Sequence, residues 1–206
     1  MDSSPHHPRP RRSTAAPGLR PSAPVPADEV LVTRTLAGER EAFDQLVHRH
    51  HRALFNYVLR MIGSRDLAAD LTQEVFLRAY QALDRFDPAY RFTTWIYRIA
   101  SNRVIDHVRR RRAVLVPIDG AAEGARGPVL VANSPNPERH LLEHESASGV
   151  GRALADLPAH YRDLIVLRHF QHRSYEDIAQ IKGSPLGTVK NRLFRAREAL
   201  RRRLAP

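Results

Sequence analysis

Ser174-Tyr-Glu-Asp-Ile-Ala-Gln-Ile-Lys-Gly-Ser-Pro-Leu-Gly-Thr-Val-Lys-Asn-Arg-Leu-Phe-Arg-Ala-Arg197 reads as a short helix, a glycine turn and a longer arginine-studded helix in immediate succession. Ser174 stands at a helix N-cap, and Asp177 sits three residues on, where a capping-box acid reaches back to the cap amide. Ile178 and Ile181 are three apart and face one side. Gly183 tolerates positive φ and lets the first helix stop. Ser184-Pro185 is expected to restart the chain, with Ser as cap and Pro at the first helical position. In the second helix Val189, Leu193, Ala196, Leu200 and Leu204 recur every three or four residues and form the buried stripe. Lys190, Asn191, Arg192, Phe194, Arg195 and Arg197 are left on the other faces. This is the layout of a helix-turn-helix, whose second helix is shaped for a DNA major groove. Cations and an amide at that helix start suit phosphates and base edges. A solvated basic face on an ordinary helical hairpin is the alternative for this segment taken alone.

Charge places that helix pair in context. The 206 residues carry a formal +11, unevenly spread. The balance is +3 over residues 1–27, +4 over 28–112, −3 over 113–147 and +7 over 148–206. The basic excess thus peaks on the helix-turn-helix, as phosphate attraction requires. The chain holds no cysteine, which excludes disulfides and thiolate metal sites within it. No apolar run approaches a membrane span, so direct membrane insertion is not expected. The N-terminus has Arg and Pro without an apolar core, unlike a secretory signal, and a cytoplasmic location is expected.

The organisation reads as all-α: two small helical domains joined by a flexible linker. Residues 1–27, rich in Pro, Ser, Ala and Arg, read as a disordered tail. Residues 28–112 show helical stripes: Ala42, Phe43, Leu46 and Val47, continued by Leu54, Tyr57, Val58 and Met61, then Leu67, Leu71, Val75 and Ala79 after a break at Gly63-Ser64. A final helix carries Trp95, Ile96, Ile99, Val104, Ile105 and Val108 into Arg109–Arg112. Residues 113–147, acidic and without period, read as a linker between independent domains. Residues 148–206 form the second unit, where Leu157-Pro158 opens a helix bearing Tyr161, Leu164, Ile165, Leu167 and Phe170 ahead of the helix-turn-helix.

Three features of the first unit carry chemistry. Asp66, Asp70, Gln73 and Glu74 share one side of a helix whose other side is apolar. An acidic stripe in a basic protein suits a basic partner surface or plain solvation. Tyr80, Phe86, Tyr90, Phe92, Trp95 and Tyr97 are six of the fourteen aromatics and are interleaved with Arg85, Arg91, Arg98 and Arg103. Rings among arginines suit unstacked bases, and about half of these rings are expected to be core instead. Asn102, Arg103, Asp106 and His107 continue that helix to the four adjacent arginines. His48, His50 and His51 fit a surface helix better than a metal site. No phosphate loop, metal-ligand spacing or nucleophile–base pair is present, so neither catalysis, a cofactor nor a metal is expected.

Phe43 to Arg112, with Asp70-Leu-Thr-Gln-Glu-Val-Phe-Leu-Arg-Ala79 and Arg91-Phe-Thr-Thr-Trp-Ile-Tyr-Arg-Ile-Ala-Ser-Asn102, resembles region two of bacterial RNA polymerase sigma factors. Residues 154–204, with Leu157-Pro158, Ser174-Tyr-Glu-Asp-Ile-Ala179 and Gly187-Thr-Val-Lys-Asn-Arg192, resemble region four. The order is that of the family, nothing between resembles region three, and the two-domain economy resembles the extracytoplasmic-function (ECF) class. The resemblance implies a stress-response transcription initiation factor without catalytic activity. It implies docking of Asp66, Asp70, Gln73 and Glu74 on the clamp helices of core RNA polymerase, with a further polymerase contact at the flap. It implies minus-ten promoter DNA at Phe92, Trp95, Tyr97, Arg98, Asn102, Arg103 and Asp106, with Asn102 at a pocket for a flipped base. It implies minus-thirty-five DNA at Arg173, Ser174, Tyr175, Thr188, Lys190, Asn191, Phe194 and Arg195. Asn191 stands where the family commonly has Ser, which points to altered base preference. An anti-sigma factor, membrane-anchored in many members, is implied as a further partner. Two rivals compete. A stand-alone regulator also fits Thr188-Val-Lys190 but leaves the acidic stripe and the Trp95 segment unexplained. A DNA-processing enzyme would need Asp66, Asp70 and Glu74 as metal ligands.

Overall fold

The computed structural model describes residues 26–115 and 149–204, the side chains of 112–115 excepted. All of the expected tail but Pro26 and Ala27, and nearly all of the expected linker, lie outside the described residues. Every regular element among those described is helical. The first half comprises α1 (Asp28–Leu36), α2 (Arg40–Ile62), α3 (Arg65–Gln81), a 3₁₀ turn (Leu83–Arg85) and α4 (Phe92–Leu115). The second comprises α5 (Gly149–Ala155), α6 (Ala159–Ile165) with a π turn (Val166–Phe170), α7 (Tyr175–Lys182) and α8 (Leu186–Leu204). The helix expected to end at Arg112 therefore runs three residues into the segment read as linker.

Local chemistry accounts for most boundaries. Gly63 ends α2 at φ 78°, its N–H donating to the Leu59 carbonyl at 2.7 Å. A Cβ is disfavoured in that left-handed conformation, so glycine stands there. Ser174 and Asp177 make the full capping box on α7, and Gly183 closes it at φ 56°. One expectation is corrected. Ser184 does not cap α8; its hydroxyl donates back to the Lys182 carbonyl at 3.3 Å. The Pro185 carbonyl accepts the first helical bond, from Val189 N–H at 3.1 Å, so Pro185 is itself the cap and Leu186 the first helical residue. The turn is thereby one residue longer than the sequence pattern suggests.

The two halves have bundle cores of the usual kind. Helix α2 packs on α1, α3 and α4, while α5, α6 and α7 all pack on α8. The halves are not independent, however. A single buried cluster runs from Leu54, Tyr57, Met61, Ile96 and Tyr97 through Leu164, Leu167, Ile178, Val189 and Leu193. Helix α7 lies against α4, and α6 and its π turn lie against α2. Helix α7 has only eight residues, too short to persist on propensity alone. Ile178 and Ile181, 0% and 1% exposed, hold it in place, each burial contributing roughly 1.5–3 kcal/mol. Sequence periodicity showed an inward face on α7; it did not show that this face is completed by α4.

The capping box makes a prediction. Ser174→Ala is expected to lower stability by about 1 kcal/mol, the usual loss on removing such a cap. Urea denaturation measures it, and an unchanged midpoint would contradict the capping role.

Candidate nucleic-acid interface

Helix α4 sorts its predicted residues into three environments. Phe92 and Tyr97 are core, at 0% and 2% exposure. Phe92 packs among Phe86, Trp95 and His50, with ring centroids 6.0, 5.8 and 5.4 Å away. This corrects the expectation that both rings stand ready for bases: Phe92 opens α4 and plugs the end of the bundle, and Tyr97, one turn on, packs against Tyr57, Gln171 and Arg173. Trp95 is half-buried, edge-on to Phe86 at 5.4 Å. Arg98 and Asn102 are exposed, and Asp106 is half-exposed with Arg109 3.3 Å away. Trp95, Arg98, Asn102, Asp106 and Arg109, spaced by three or four, form one stripe along α4. Of the six clustered aromatics, Tyr80 and Tyr90 are exposed, whereas Phe86 joins Phe92 and Tyr97 inside.

Arg103 and Glu74 were expected on different surfaces, and the structure pairs them. Arg103 Nε lies 2.7 Å from Glu74 Oε1, which also accepts from Arg78 Nη2 at 2.8 Å. The adjacent Arg103 guanidinium, followed by that of Arg78, holds the Glu74 carboxyl below its ordinary range. Glu74 thus clamps α3 to α4, leaving Asp66, Asp70 and Gln73 as the exposed part of the acidic stripe.

The helix-turn-helix presents its predicted readers openly. Lys190, Asn191, Arg192 and Arg195 are exposed on α8, and Phe194 is 65% exposed. Thr188 is half-buried, and a groove between α6 and α8 is lined by His160, Tyr161, Thr188, Asn191, Arg192 and Arg195. Ser174 is occupied as a cap, and Tyr175 accepts from Arg197 Nη2 at 3.2 Å while Arg168 lies over its ring at 4.8 Å. Arg173 is turned away from the reading face. Its guanidinium stacks 4.5 Å from the Tyr97 ring centroid, and its Nε is buried without a hydrogen-bond partner.

Sequence reasoning missed a polar node between the halves. Asp163 is 0% exposed and its carboxylate accepts from Tyr57 Oη at 2.7 Å, Ser101 Oγ at 2.8 Å and Lys182 Nζ at 2.7 Å. Burial first, and then the facing carboxylate, push the Tyr57 hydroxyl well above its ordinary pKa, so it stays a donor. Beside it, buried Arg162 donates to the carbonyls of Leu154, Ala155 and Leu157 and, from Nη1, to Met61 O at 2.7 Å. It neutralises the carboxyl ends of α5 and α2 together. Tyr97 Oη donates to Gln171 Oε1 at 2.6 Å. The available signal was Asp163 at i, i+4 and i+7 with Leu167 and Phe170, a charge on an apolar stripe.

The three histidines near Asp44 are not gathered. His50 Nε2 meets Asp28 Oδ2 at 2.8 Å, His51 stacks 6.2 Å from Phe55, and His48 is exposed.

Two family models match in this order: Sigma-70 region 2 over residues 46–114 and Sigma-70, region 4 over residues 149–200. The chain is 37% identical over 182 residues to the RNA polymerase sigma-H factor of Pseudomonas aeruginosa, covering 87% of this chain and 94% of that protein. It is 38% identical over 182 residues to the ECF RNA polymerase sigma-E factor of Escherichia coli K12, covering 87% and 95%.

The chain belongs to the ECF sigma factor family.

Among solved structures, this sigma factor resembles CnrH in complex with the cytosolic domain of CnrY, at 28% identity and a TM-score of 0.62 over 85% of this chain and 95% of that one. It also resembles the sigma factor RpoE of Bartonella quintana in complex with the anti-sigma factor NepR, at 28% identity and a TM-score of 0.57 over 79% and 96%. Among the described residues of this sigma factor, no helix is long and apolar enough to cross a membrane.

The Glu74 clamp has a pH signature. A carboxyl whose folded pKa is depressed contributes stability that is present above its unfolded value of 4.5 and lost as pH falls through the folded one. Glu74→Gln is therefore expected to flatten the stability profile below pH 4.5, measured by thermal melting across an acid series. An unchanged slope would contradict the clamp.

Proposed function

We propose that this sigma factor brings core RNA polymerase to promoters by reading a minus-ten element with α4 and a minus-thirty-five element with α8. The observation that carries the reading is the pair of exposed rows, Arg98–Asn102–Arg109 on region 2 and Lys190–Asn191–Arg195 on region 4, in one chain of this family. On α8, Arg195 and Lys190 supply donors for guanine edges or phosphates, Asn191 supplies an amide, and the exposed Phe194 ring suits a thymine methyl. On α4, half-buried Trp95 stands beside Arg98, which holds phosphate next to Asn102, which receives an unpaired base. Asp66, Asp70 and Gln73 face the clamp helices of polymerase, and region 4 meets the flap. Each domain then needs only modest affinity, because tethering makes the second contact intramolecular.

The chain has no catalytic role in this scheme and requires no cofactor; melting draws on base capture alone. Its place of work is the cytoplasm, where polymerase meets the chromosome. An anti-sigma factor is its expected inhibitor, a reading supported by the complexes described for CnrH and RpoE.

Transcription reconstituted with core polymerase tests the whole scheme, and absence of promoter-dependent product would sink it. Arg195→Ala is expected to weaken minus-thirty-five recognition by about 1–3 kcal/mol, the range for a bidentate base contact. Promoter variants scanned in that assay check this; unaltered base preference would reject the assignment. Trp95→Ala is expected to slow open-complex formation while leaving polymerase binding near the wild-type level. Permanganate footprinting and a polymerase pull-down separate these effects, and equal losses in both would assign Trp95 to the core instead.

A further inference from the structure

We propose that the groove between α6 and α8 binds a nucleoside phosphate, and that this occupant competes with promoter DNA for Asn191 and Arg195. The binding stands on the groove itself; the competition rests on the minus-thirty-five reading of those two residues.

The groove has a volume of about 660 Å³, inside the range of about 300–1,000 Å³ in which small-molecule sites fall. Helices α6 and α8 pack directly on each other, and packed helices stand about 8–10 Å apart between axes. A cleft of that width excludes a duplex and admits a ring or a phosphate chain. Its two walls differ in chemistry. On α6, His160 and Tyr161 form a ring pair with centroids 4.2 Å apart and planes inclined by 53°. Tyr161 is half-buried and packs against the cluster of Leu154, Leu157, Ile165 and Ala196, while buried Leu164 adds an apolar floor. On α8, Thr188 and Asn191 bring a hydroxyl and an amide, and Arg192 and Arg195 bring two guanidinium groups one turn apart. Lys182 closes one end, its ammonium paired with Asp163. Among the described residues, none that lines the groove is acidic.

The arginines of α8 sort by the side they occupy. Arg197 donates to Tyr175 Oη, Arg203 donates to the Ala199 carbonyl, and Arg201 and Arg202 share Glu198. Arg192 and Arg195, the two that line the groove, are exposed and have no hydrogen-bond or ion-pair partner among the described residues. Two open guanidinium forks suit the oxygens of a phosphate chain, and the rings opposite suit a base by stacking. A bare anion leaves the rings unused, and an apolar ligand strips water from the guanidinium groups without replacing it. A molecule with a planar ring at one end and anionic oxygens at the other satisfies both walls, and a nucleotide has that form. Asn191 and Arg195 also belong to the reading face of α8, so a bound nucleotide withdraws their donors from base edges. Occupancy thus lowers minus-thirty-five affinity without moving a helix.

Calorimetric titration of the full-length protein with ATP, without divalent metal, tests the site. One saturable ATP site per chain is expected. Inorganic tripolyphosphate is expected to bind about 10-fold more weakly despite its higher charge, because it lacks a ring to stack. Arg192→Glu and His160→Ala alter exposed side chains, and thermal melting verifies that both variants fold. Each is expected to weaken ATP binding about 10-fold, the loss of one charge-assisted hydrogen bond or one stacked ring. Arg201→Glu makes the same charge change outside the groove and is expected to bind ATP like the wild type. No saturable binding up to about 1 mM ATP, or equal losses in Arg192→Glu and Arg201→Glu, would overturn the site. Tripolyphosphate binding as tightly as ATP would reject the nucleotide assignment. Saturating ATP at constant ionic strength is expected to weaken binding of a pool of random duplex DNA about 10-fold, and unchanged DNA binding would refute the competition. If reconstituted transcription yields no promoter-dependent product, the promoter reading fails while the calorimetry still decides the site.

Discussion

The carboxylate of Asp163 is the point on which the arrangement of this sigma factor turns. A charged group with no solvent exposure is tolerable only when each lone pair finds a donor. Asp163 finds three, on α2, α4 and α7, and thereby fixes the positions of three helices relative to α6. Arg162 does the complementary work with four backbone carbonyls, one of them across the seam at Met61. Such buried pairs add little net stability over an apolar filling of the same volume, yet removing one partner alone is costly, about 3–5 kcal/mol. Their effect here is to select one docking of the halves among the many that apolar faces alone would accept.

That choice shapes the surfaces left open on α4 and α8. Helix α4 serves two neighbours: Phe92, Ile96 and Val104 close the first bundle, while Tyr97 and Ser101 meet the second half. The remaining stripe of Trp95, Arg98, Asn102 and Asp106 is what α4 leaves at the surface. Helix α8 has no such conflict. Its apolar side, Val189, Leu193 and Ala196, packs inward, and its basic side with Phe194 faces solvent.

Much of this was legible in the residues. The capping box at Ser174, the left-handed glycines at positions 63 and 183, and the apolar stripes follow from interactions within a few residues. Local rules therefore located the helices, and the two motifs in order located the family. The same locality explains the failures. Pro185 replaced Ser184 as a cap because the tertiary turn lets the Ser184 hydroxyl bond the Lys182 carbonyl. Glu74 left the acidic stripe because Arg103, twenty-nine positions later, lies 2.7 Å away. Phe92 and Tyr97 had the right chemistry for bases, but burial depends on neighbours that periodicity cannot name.

The sequence by itself determined that the chain is all-α, that it ends in a helix-turn-helix, and that it joins region 2 to region 4 of the ECF sigma factors. These properties rest on short-range periodicity, caps and motifs. Only the tertiary structure decided that the two halves share a core, that Asp163 is buried, and that Arg173 stacks on Tyr97 rather than facing phosphate. The physical reason is separation along the chain: Tyr57 and Asp163 stand 106 residues apart, and no local pattern encodes a hydrogen bond across that span.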